Sequence, residues 1–246
     1  MPPPSQIIDA PLSLGNFFPA ESDEEEEEEL DNCYEVQQVT VAGESLQVRQ
    51  FAYHSHNANR VWPGTFNLAD YLFETRDDGN YVHQWGSVLE LGTATGLLAI
   101  RLAKSLPSKE GEPSCCSSLV TSDVDDEHGD VLENVEHNFE LNSIPQPPHV
   151  PHTWGTGWKE SAAKVQVETE FDTILASDIL LYVSAYPELV ITLQELMSSS
   201  QKLVMSWNRR MKESQEFFDR MKEAGFHCEH LGKCVYCFVR NEHQRS

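Results

Sequence analysis

Apolar and polar positions along the chain predict an α/β protein that begins with a β-hairpin. Between Tyr34 and Phe51, apolar residues alternate with polar ones on both sides of Gly43, as in two antiparallel strands joined by a turn. From residue 66 onward, short apolar runs alternate with segments in which apolar residues recur at helical spacing. This order predicts a mostly parallel sheet that is covered by helices on both faces.

The predicted elements can be placed along the sequence. Thr65 is a suitable cap for the first helix, and Trp62 is held extended because Pro63 follows it. Trp62 is then either a core anchor or a cover over a ligand. Strands are predicted at residues 88–91, 119–122, 149–154, 171–176, 203–207 and 234–240, and helices at 66–72, 97–103, 131–141, 187–197 and 217–224.

Residues 88–96 read Val-Leu-Glu-Leu-Gly-Thr-Ala-Thr-Gly, which predicts a buried strand, a tight turn and the start of a helix. Glycine at positions 92 and 96 allows the backbone to approach a ligand closely. The exposed amides at the start of the following helix favour electron-rich groups. The stretch is therefore either a nucleotide or nucleoside cradle or an ordinary strand-to-helix turn.

Further candidate residues follow the neighbouring strands. Asp123 ends the second strand of the predicted sheet, where a carboxylate can accept hydrogen bonds from ribose hydroxyls. Asp125 and Asp126 follow closely, and members of this acidic cluster are also suited to cap the next helix. Trp154 and Asp178 come at the ends of two later strands. Because ligands of such sheets bind beyond the carboxyl ends of the strands, these positions together predict a nucleoside-type site.

The formal charge of the chain is −23, and nine of these charges come from residues 21–31, so the rest of the chain carries −14. Such a field repels nucleic acid and attracts basic partners, although acidity also serves solubility alone. A dense block of like charges cannot collapse. We therefore expect residues 1–31 to form a largely disordered acidic arm and residues 32–246 to form the folded domain.

Two other features bear on the class of protein. The sequence shows neither an apolar run of about 18 residues nor a secretory leader, so we expect an intracellular protein without a membrane span, in the cytoplasm or also in the nucleus. The six cysteines are expected to be free thiols. His227, Cys228, His230, Cys234 and Cys237 suggest a zinc site, but a strand would place the last two on opposite faces, so we expect no metal.

Several motifs together resemble a known family. They are Val61-Trp62-Pro63-Gly64, Val88 to Gly96, Asn134-Val135-x-x-Asn138-x-x-x-Asn142, Thr153-Trp154-Gly155 and Ala176-Ser177-Asp178-Ile179-Leu180-Leu181-Tyr182. Residues 34–241 are similar to the seven-strand S-adenosylmethionine-dependent methyltransferases and, more narrowly, to the protein-lysine methyltransferase-like group. The resemblance implies a Rossmann-like seven-strand sheet after an N-terminal hairpin, S-adenosyl-L-methionine as cofactor, and methylation of a lysine in a protein substrate. The acidity of the chain suggests that this substrate is basic. We also expect the protein to be a monomer.

The resemblance also implies roles for individual residues. Asp123 is similar to the family's ribose-binding acid, with Asp125 as the alternative, and Trp154 corresponds to the tryptophan beside adenine. The other positions implied to bind the cofactor are Trp62, Glu90, Gly92, Ala94 and Gly96. Ala94 departs from the family pattern, because a glycine usually stands there.

Asp178 and Tyr182 are the candidate catalytic residues. Asp178 would orient the incoming amine and stabilise the cationic product, unless it only caps a helix. Tyr182 follows it by four residues, whereas the family pattern has an aromatic three residues later, and Tyr186 is a weaker candidate. Methylation of arginine or of a small molecule, or a catalytically inactive cofactor-binding module, remain as alternative functions. Nucleic acid is disfavoured as a substrate by the charge.

Overall fold

The computed structural model describes residues 34–77, 79–107, 114–198, 200–208 and 212–241. The acidic arm predicted at residues 1–31 lies outside these ranges, so its disorder and the domain boundary after it stay predictions. Within the described ranges the chain forms two β-sheets and six α-helices. No helix among them is long and apolar enough to cross a membrane.

The predicted hairpin is confirmed as a two-stranded antiparallel sheet of β1 (Tyr34–Val41) and β2 (Glu44–Phe51). The turn between them requires positive φ angles, 42° at Ala42 and 78° at Gly43. Glycine adopts such angles without steric cost, which explains its place in the turn.

The larger sheet has seven strands in the order β5, β4, β3, β6, β7, β9, β8. The first five strands in this order are parallel, and β9 is antiparallel to both of its neighbours. The bounds are β3 Ser87–Leu91, β4 Ser118–Asp123, β5 His149–Pro151, β6 Thr173–Ser177, β7 Lys202–Ser206, β8 Phe226–Gly232 and β9 Val235–Arg240.

Helices cover both faces of this sheet, as predicted. Three pack on one face together with the hairpin: α1 Pro63–Leu72, α2 Leu97–Ala103 and α3 Asp130–Leu141. The other face carries α4 Trp158–Lys164, α5 Tyr186–Leu196 and α6 Ser214–Glu223. Side chains of the central strands alternate between the two cores, since Val88 belongs to the first and Leu89 to the second. Strands buried on both faces explain the continuous apolar runs in the sequence.

Asparagines spaced four residues apart, on α3 and at its C-cap, attach the hairpin. The Asn138 side chain accepts a hydrogen bond from the Arg49 amide at 2.5 Å and donates one to the Arg49 carbonyl at 3.0 Å. Asn142 bonds the amide and carbonyl of Gln47 in the same way, at 2.9 and 2.7 Å. Because residues at i and i+4 share one helix face, the two amides bond β2 as a neighbouring strand would.

The structure corrects several predicted elements. Thr65 does not cap α1, which begins two residues earlier at Pro63, because proline suits the first helical position. The hydroxyl of Thr65 instead contacts the hydroxyl of Ser177 at 3.2 Å. The sequence analysis did not identify α4 or β8 as elements. α4 has only seven residues, and β8 has a single buried apolar side chain, so the apolar pattern of both is weak.

The cysteines near the C-terminal strands also differ from the prediction. Cys234 lies in the turn before β9 with a φ of 63°, so Cys234 and Cys237 do not share a regular strand. Burial raises the pKa of Cys237, and it raises that of Cys228 to about 11, so both are neutral thiols at physiological pH. Within the described ranges, no three metal-ligating side chains are grouped to hold an ion.

Candidate functional site

A cavity of about 340 Å³ lies beyond the carboxyl ends of β3, β4 and β6. This is the edge at which parallel sheets bind ligands. Seven of the nine predicted site residues line it: Trp62, Gly92, Ala94, Asp123, Trp154, Asp178 and Tyr182. The strand-end positions noted in the sequence are therefore brought together around one space.

The loop after β3 forms part of the cavity wall in a conformation that needs glycine. Gly92 has a φ of 74°, and a methyl group placed on it would lie 2.8 Å from Cγ2 of Ile179. Both the backbone angle and the close approach of the loop after β6 explain glycine here. Ala94 also has a positive φ, of 50°, which is strained for a residue with a Cβ.

Asp123 joins the loops after β3 and β4. Its carboxylate accepts hydrogen bonds from the Ala94 and Val124 amides, both at 2.7 Å. Burial raises the pKa of Asp123, and these two amides oppose that rise by stabilising the charged form. Asp123 thus holds the loop after β3 in place while it lines the cavity.

The aspartates at the end of β4 and just after it have different roles. Asp126 caps α3, since its carboxylate accepts hydrogen bonds from the Asp130 amide at 2.9 Å and from the Val131 amide at 3.1 Å. Asp125 is exposed to solvent. Of the three aspartates, Asp123 is the one that the described structure places in the cavity wall.

Glu90 and Gly96 lie behind the loop, in the protein interior. The Glu90 carboxyl accepts a hydrogen bond from the Thr93 hydroxyl at 2.6 Å and is also bonded by the Ala99 amide of α2. Burial raises the pKa of Glu90 to about 8 in spite of these bonds. Gly96 precedes α2 with a φ of 77°. The geometry gives both residues a part in holding the loop between β3 and α2.

Trp154 lies half-buried in the cavity wall, on the loop after β5, which is tied to α5. The Thr192 hydroxyl accepts a hydrogen bond from the Gly155 amide at 2.9 Å and donates one to the Gly155 carbonyl at 3.0 Å. The Glu195 carboxylate accepts from the Trp158 amide at 3.0 Å. These hydrogen bonds to α5 hold the backbone of the segment that follows Trp154 in place.

Trp62 anchors the segment before α1. It is 7% exposed, and its indole N–H donates to the Asn57 carbonyl at 2.9 Å. The Arg60 guanidinium lies 4.2 Å from the ring centroid. Trp62 also lines the cavity, and its part in covering a ligand stays a prediction.

Asp178 is buried at the cavity with an unusual backbone angle. Its φ is 52°, its amide donates to the Ser206 carbonyl at 3.1 Å, and one carboxylate oxygen accepts the Gly64 amide at 2.5 Å. Gly64 lies at the start of α1, so Asp178 caps that helix. It lines the cavity as well, and its predicted role toward the incoming amine stays a prediction.

Tyr182 reaches the cavity from the loop after β6. It is 44% exposed, and its hydroxyl contacts the Asn57 side-chain amide and donates to the Ser55 carbonyl at 3.3 Å. Tyr186 is buried and donates to the Leu180 carbonyl at 3.0 Å, which directs it into the core. Of the two tyrosines, Tyr182 is the one placed in the cavity wall of the described structure.

Sequence reasoning missed several residues of the site. His56 and Asn57 line the cavity, and Ser206 and Gly64 hold Asp178 in place. The segment that carries His56 and Asn57 has no hydrophobic period and no turn motif of its own. Nothing in its local pattern distinguished it from an ordinary surface loop.

The sheet order and the site define the Rossmann-like methyltransferase fold. Among solved structures, the chain is similar to the T. thermophilus 16S rRNA N2 G1207 methyltransferase RsmC in complex with AdoMet and guanosine. The TM-score is 0.52 and the sequence identity 14%, over 85% of this chain and 51% of that one. This likeness shows the fold alone, and it confirms the predicted fold class.

The chain belongs to the lysine methyltransferase family, whose sequence profile it matches over residues 41–224. It is 24% identical to the protein-lysine methyltransferase METTL21E of Mus musculus, over 66% of this chain and 61% of that one. It is 25% identical to the protein-lysine N-methyltransferase EEF2KMT of Mus musculus, over 69% and 52%. The chain thus spans less than two thirds of these relatives. The predicted family is confirmed, and S-adenosyl-L-methionine is the cofactor that this membership supports.

Proposed function

We propose that this protein transfers methyl groups from S-adenosyl-L-methionine to the side-chain amine of a lysine in a protein substrate. The observation that carries the proposal is the cavity itself. It is lined by the loop after β3 and by Asp123 at the end of β4, and also by Asp178 and Tyr182 from the loop after β6. Family membership and the two lysine-methylating relatives support the lysine substrate.

The residues at the cavity fit this cofactor. A volume of about 340 Å³ suits a small ligand, and sites for such ligands combine apolar walls with a few placed polar groups. Asp123 would accept the ribose hydroxyls, Trp154 would lie beside the adenine, and Trp62 beside the methionine end. The backbone at Gly92 and Ala94 would form the cradle. When bound, the cofactor supplies a methyl group activated by its attachment to a positively charged sulfur.

Asp178 and Tyr182 act on the methyl acceptor. A lysine must lose its proton before it accepts a methyl group, since its ordinary pKa is about 10.4, and entry into a partly apolar cavity lowers that pKa. The carboxylate of Asp178 orients the incoming amine and stabilises the positive charge that the nitrogen carries after transfer. The ring of Tyr182 shapes the entrance through which the side chain passes.

The acidic surface supports a basic protein substrate. The chain carries −23 overall, so lysine- and arginine-rich segments are drawn toward it over roughly a Debye length, about 8 Å at physiological ionic strength. The same field disfavours nucleic acid. We infer that the substrate is a protein whose target lysine lies among other basic residues.

Radiolabelled cofactor tests this proposal. The purified full chain is incubated with methyl-labelled S-adenosyl-L-methionine and a cell extract, and the labelled residue is located by mass spectrometry. We expect label on a lysine of a protein, and at least about 100-fold slower labelling with the Asp178→Asn variant. Label on arginine, on RNA or on a small molecule would contradict the proposed substrate. Absence of binding heat with the unlabelled cofactor would indicate an inactive module instead.

A further inference from the structure

Three segments of the chain meet in a ring of hydrogen bonds around Asp178. The Ser206 hydroxyl at the end of β7 donates to the Gly64 carbonyl at 2.6 Å. The Gly64 amide at the start of α1 donates to the Asp178 carboxylate at 2.5 Å. The Asp178 amide donates back to the Ser206 carbonyl at 3.1 Å. All three residues are buried, so solvent does not replace a bond that is lost.

The ring fixes both ends of Asp178. Its backbone has a φ of 52°, a conformation that a non-glycine residue keeps only where surrounding contacts determine it. Ser206 holds the Asp178 amide directly and the Asp178 carboxylate indirectly, through Gly64. Gly64 has no room for a side chain, because a methyl group there would lie 2.5 Å from Ser206 Oγ and 2.7 Å from Asp178 Oδ2.

We propose that Ser206 is a positioning residue for Asp178, whose carboxylate it aims into the cavity through the backbone of Gly64. The inference rests on the proposed function, in which Asp178 faces the amine that accepts the methyl group. Ser206 itself would contact neither cofactor nor substrate. Its hydroxyl sets where the first turn of α1 lies, and that turn sets where the carboxylate points.

A purely structural role for Ser206 would have a different signature. The Thr65 and Ser177 hydroxyls, 3.2 Å apart, also connect the first turn of α1 to the sheet, one residue away along each segment. Thr65→Val removes that connection with little change in volume and is therefore the matched control for Ser206→Ala. If Ser206 only anchored α1, both variants would behave alike in every measurement.

Two cofactor analogues test the inference without a known protein substrate. Sinefungin carries an amine at the position of the transferable methyl group, whereas S-adenosyl-L-homocysteine has neither an amine nor a methyl group there. The ratio of their affinities is measured by calorimetry on the full chain. It reports how strongly the Asp178 carboxylate interacts with an amine. We expect Asp178→Asn to lower the preference for sinefungin by about tenfold and Ser206→Ala by about threefold, since hydrogen bonds to charged groups are strong. Thr65→Val should leave the ratio unchanged.

Two further measurements complete the test. Ser206→Thr keeps the hydroxyl and should retain the wild-type ratio. Hydrogen exchange of the protein without ligand should show faster exchange of the Gly64 amide in Ser206→Ala than in Thr65→Val. Should Ser206→Ala not fold, Ser206→Cys, which has a weaker donor, is expected to give a ratio between those of the wild type and Asp178→Asn.

The outcomes separate the two proposals. Suppose that Asp178→Asn lowers the ratio of the two affinities but Ser206→Ala, or Ser206→Cys if that variant is used, leaves it unchanged. This result overturns the positioning role of Ser206 and leaves the role of Asp178 intact. An unchanged ratio in Asp178→Asn overturns the proposed role of Asp178 itself. Equal lowering in Ser206→Ala and Thr65→Val shows a structural effect and also overturns the positioning role.

Discussion

Two walls of the cavity are built in different ways. The first wall comes from the loops after β3 and β4, and Asp123 bonds the Ala94 amide only 29 residues away in the chain. The second wall comes from the loop after β6 together with the start of α1, where Gly64 and Asp178 are separated by 114 residues. The first wall is a local strand-turn-helix structure, and the second exists only once distant segments have packed.

This difference matches the tasks that we propose for the two walls. The first wall would bind the cofactor, which is the same whatever the protein substrate. Backbone amides and a single carboxylate in a tight loop suffice for this. The second wall would align an amine for methyl transfer, where small displacements of a catalytic group lower the rate. A buried hydrogen-bonded ring around Asp178 provides that alignment. Variants in each wall should therefore have distinct effects.

The largest effect is expected in the second wall. Asp178→Asn keeps an oxygen that can accept the Gly64 amide but removes the negative charge from the cavity. We expect kcat to fall at least about 100-fold with the cofactor Kd changed less than about threefold, because the charge acts on the amine. Steady-state kinetics with the labelled substrate and calorimetry measure the two quantities. A kcat near that of the wild type would remove Asp178 from catalysis.

The next effect is expected in the first wall. Gly92→Ala combines a left-handed backbone angle with the contact at Ile179 Cγ2, so we expect a loss of about 2–3 kcal/mol in the free energy of unfolding and weaker cofactor binding. Urea unfolding and calorimetry measure these changes. Gly43→Ala is the matched control, since Gly43 has a similar φ of 78° but no neighbour within 4 Å of an added methyl group. Equal losses at both positions would show that the contact with Ile179 is unimportant.

The pH dependence of stability tests the interior behind the first wall. The pKa of Glu90 is raised from 4.5 to about 8 in the folded protein, so the folded state binds this proton more tightly than the unfolded state. The associated stability is present below pH 4.5 and is lost as the pH rises toward about 8, by at most about 1.4 kcal/mol per pH unit.

Glu90→Gln removes this titration, so its free energy of unfolding should fall less than that of the wild type between pH 5 and pH 8. Urea unfolding across this range measures the difference. The buried Asp123, whose pKa is also raised, contributes in the same direction and stays in the variant. Identical pH profiles for variant and wild type would show that Glu90 does not titrate in this window.

The smallest effect concerns Ala94. Ala94→Gly relieves an alanine held at a φ of 50° but makes the unfolded chain more flexible, so the net change in stability should stay within about 1 kcal/mol. We expect the cofactor Kd to fall up to about threefold, because the methyl group no longer restricts the approach of the loop. Calorimetry measures the Kd, and a weaker affinity in the glycine variant would show that the alanine methyl contacts the cofactor favourably.

The sequence by itself determined the parts of the molecule that depend on near neighbours. Period-two and helical spacings predicted the hairpin, the central strands and most helices, because each such pattern follows from the geometry of one element. The glycine-rich loop and Asp123 were identifiable for the same reason. The wrong cap at Thr65 and the unrecognised β8 lie where the local pattern of apolar residues is weak.

Only the tertiary structure decided the second wall. The sequence placed Asp178 at a strand end, but its partner Gly64 and the Ser206 hydroxyl, 142 residues from Gly64, became neighbours through the packing of α1 over β6 and β7. The same holds for Asn57, which contacts Tyr182 across 125 residues. Hydrogen bonds between buried groups depend on the positions of whole elements, and local residue patterns carry no information about those positions.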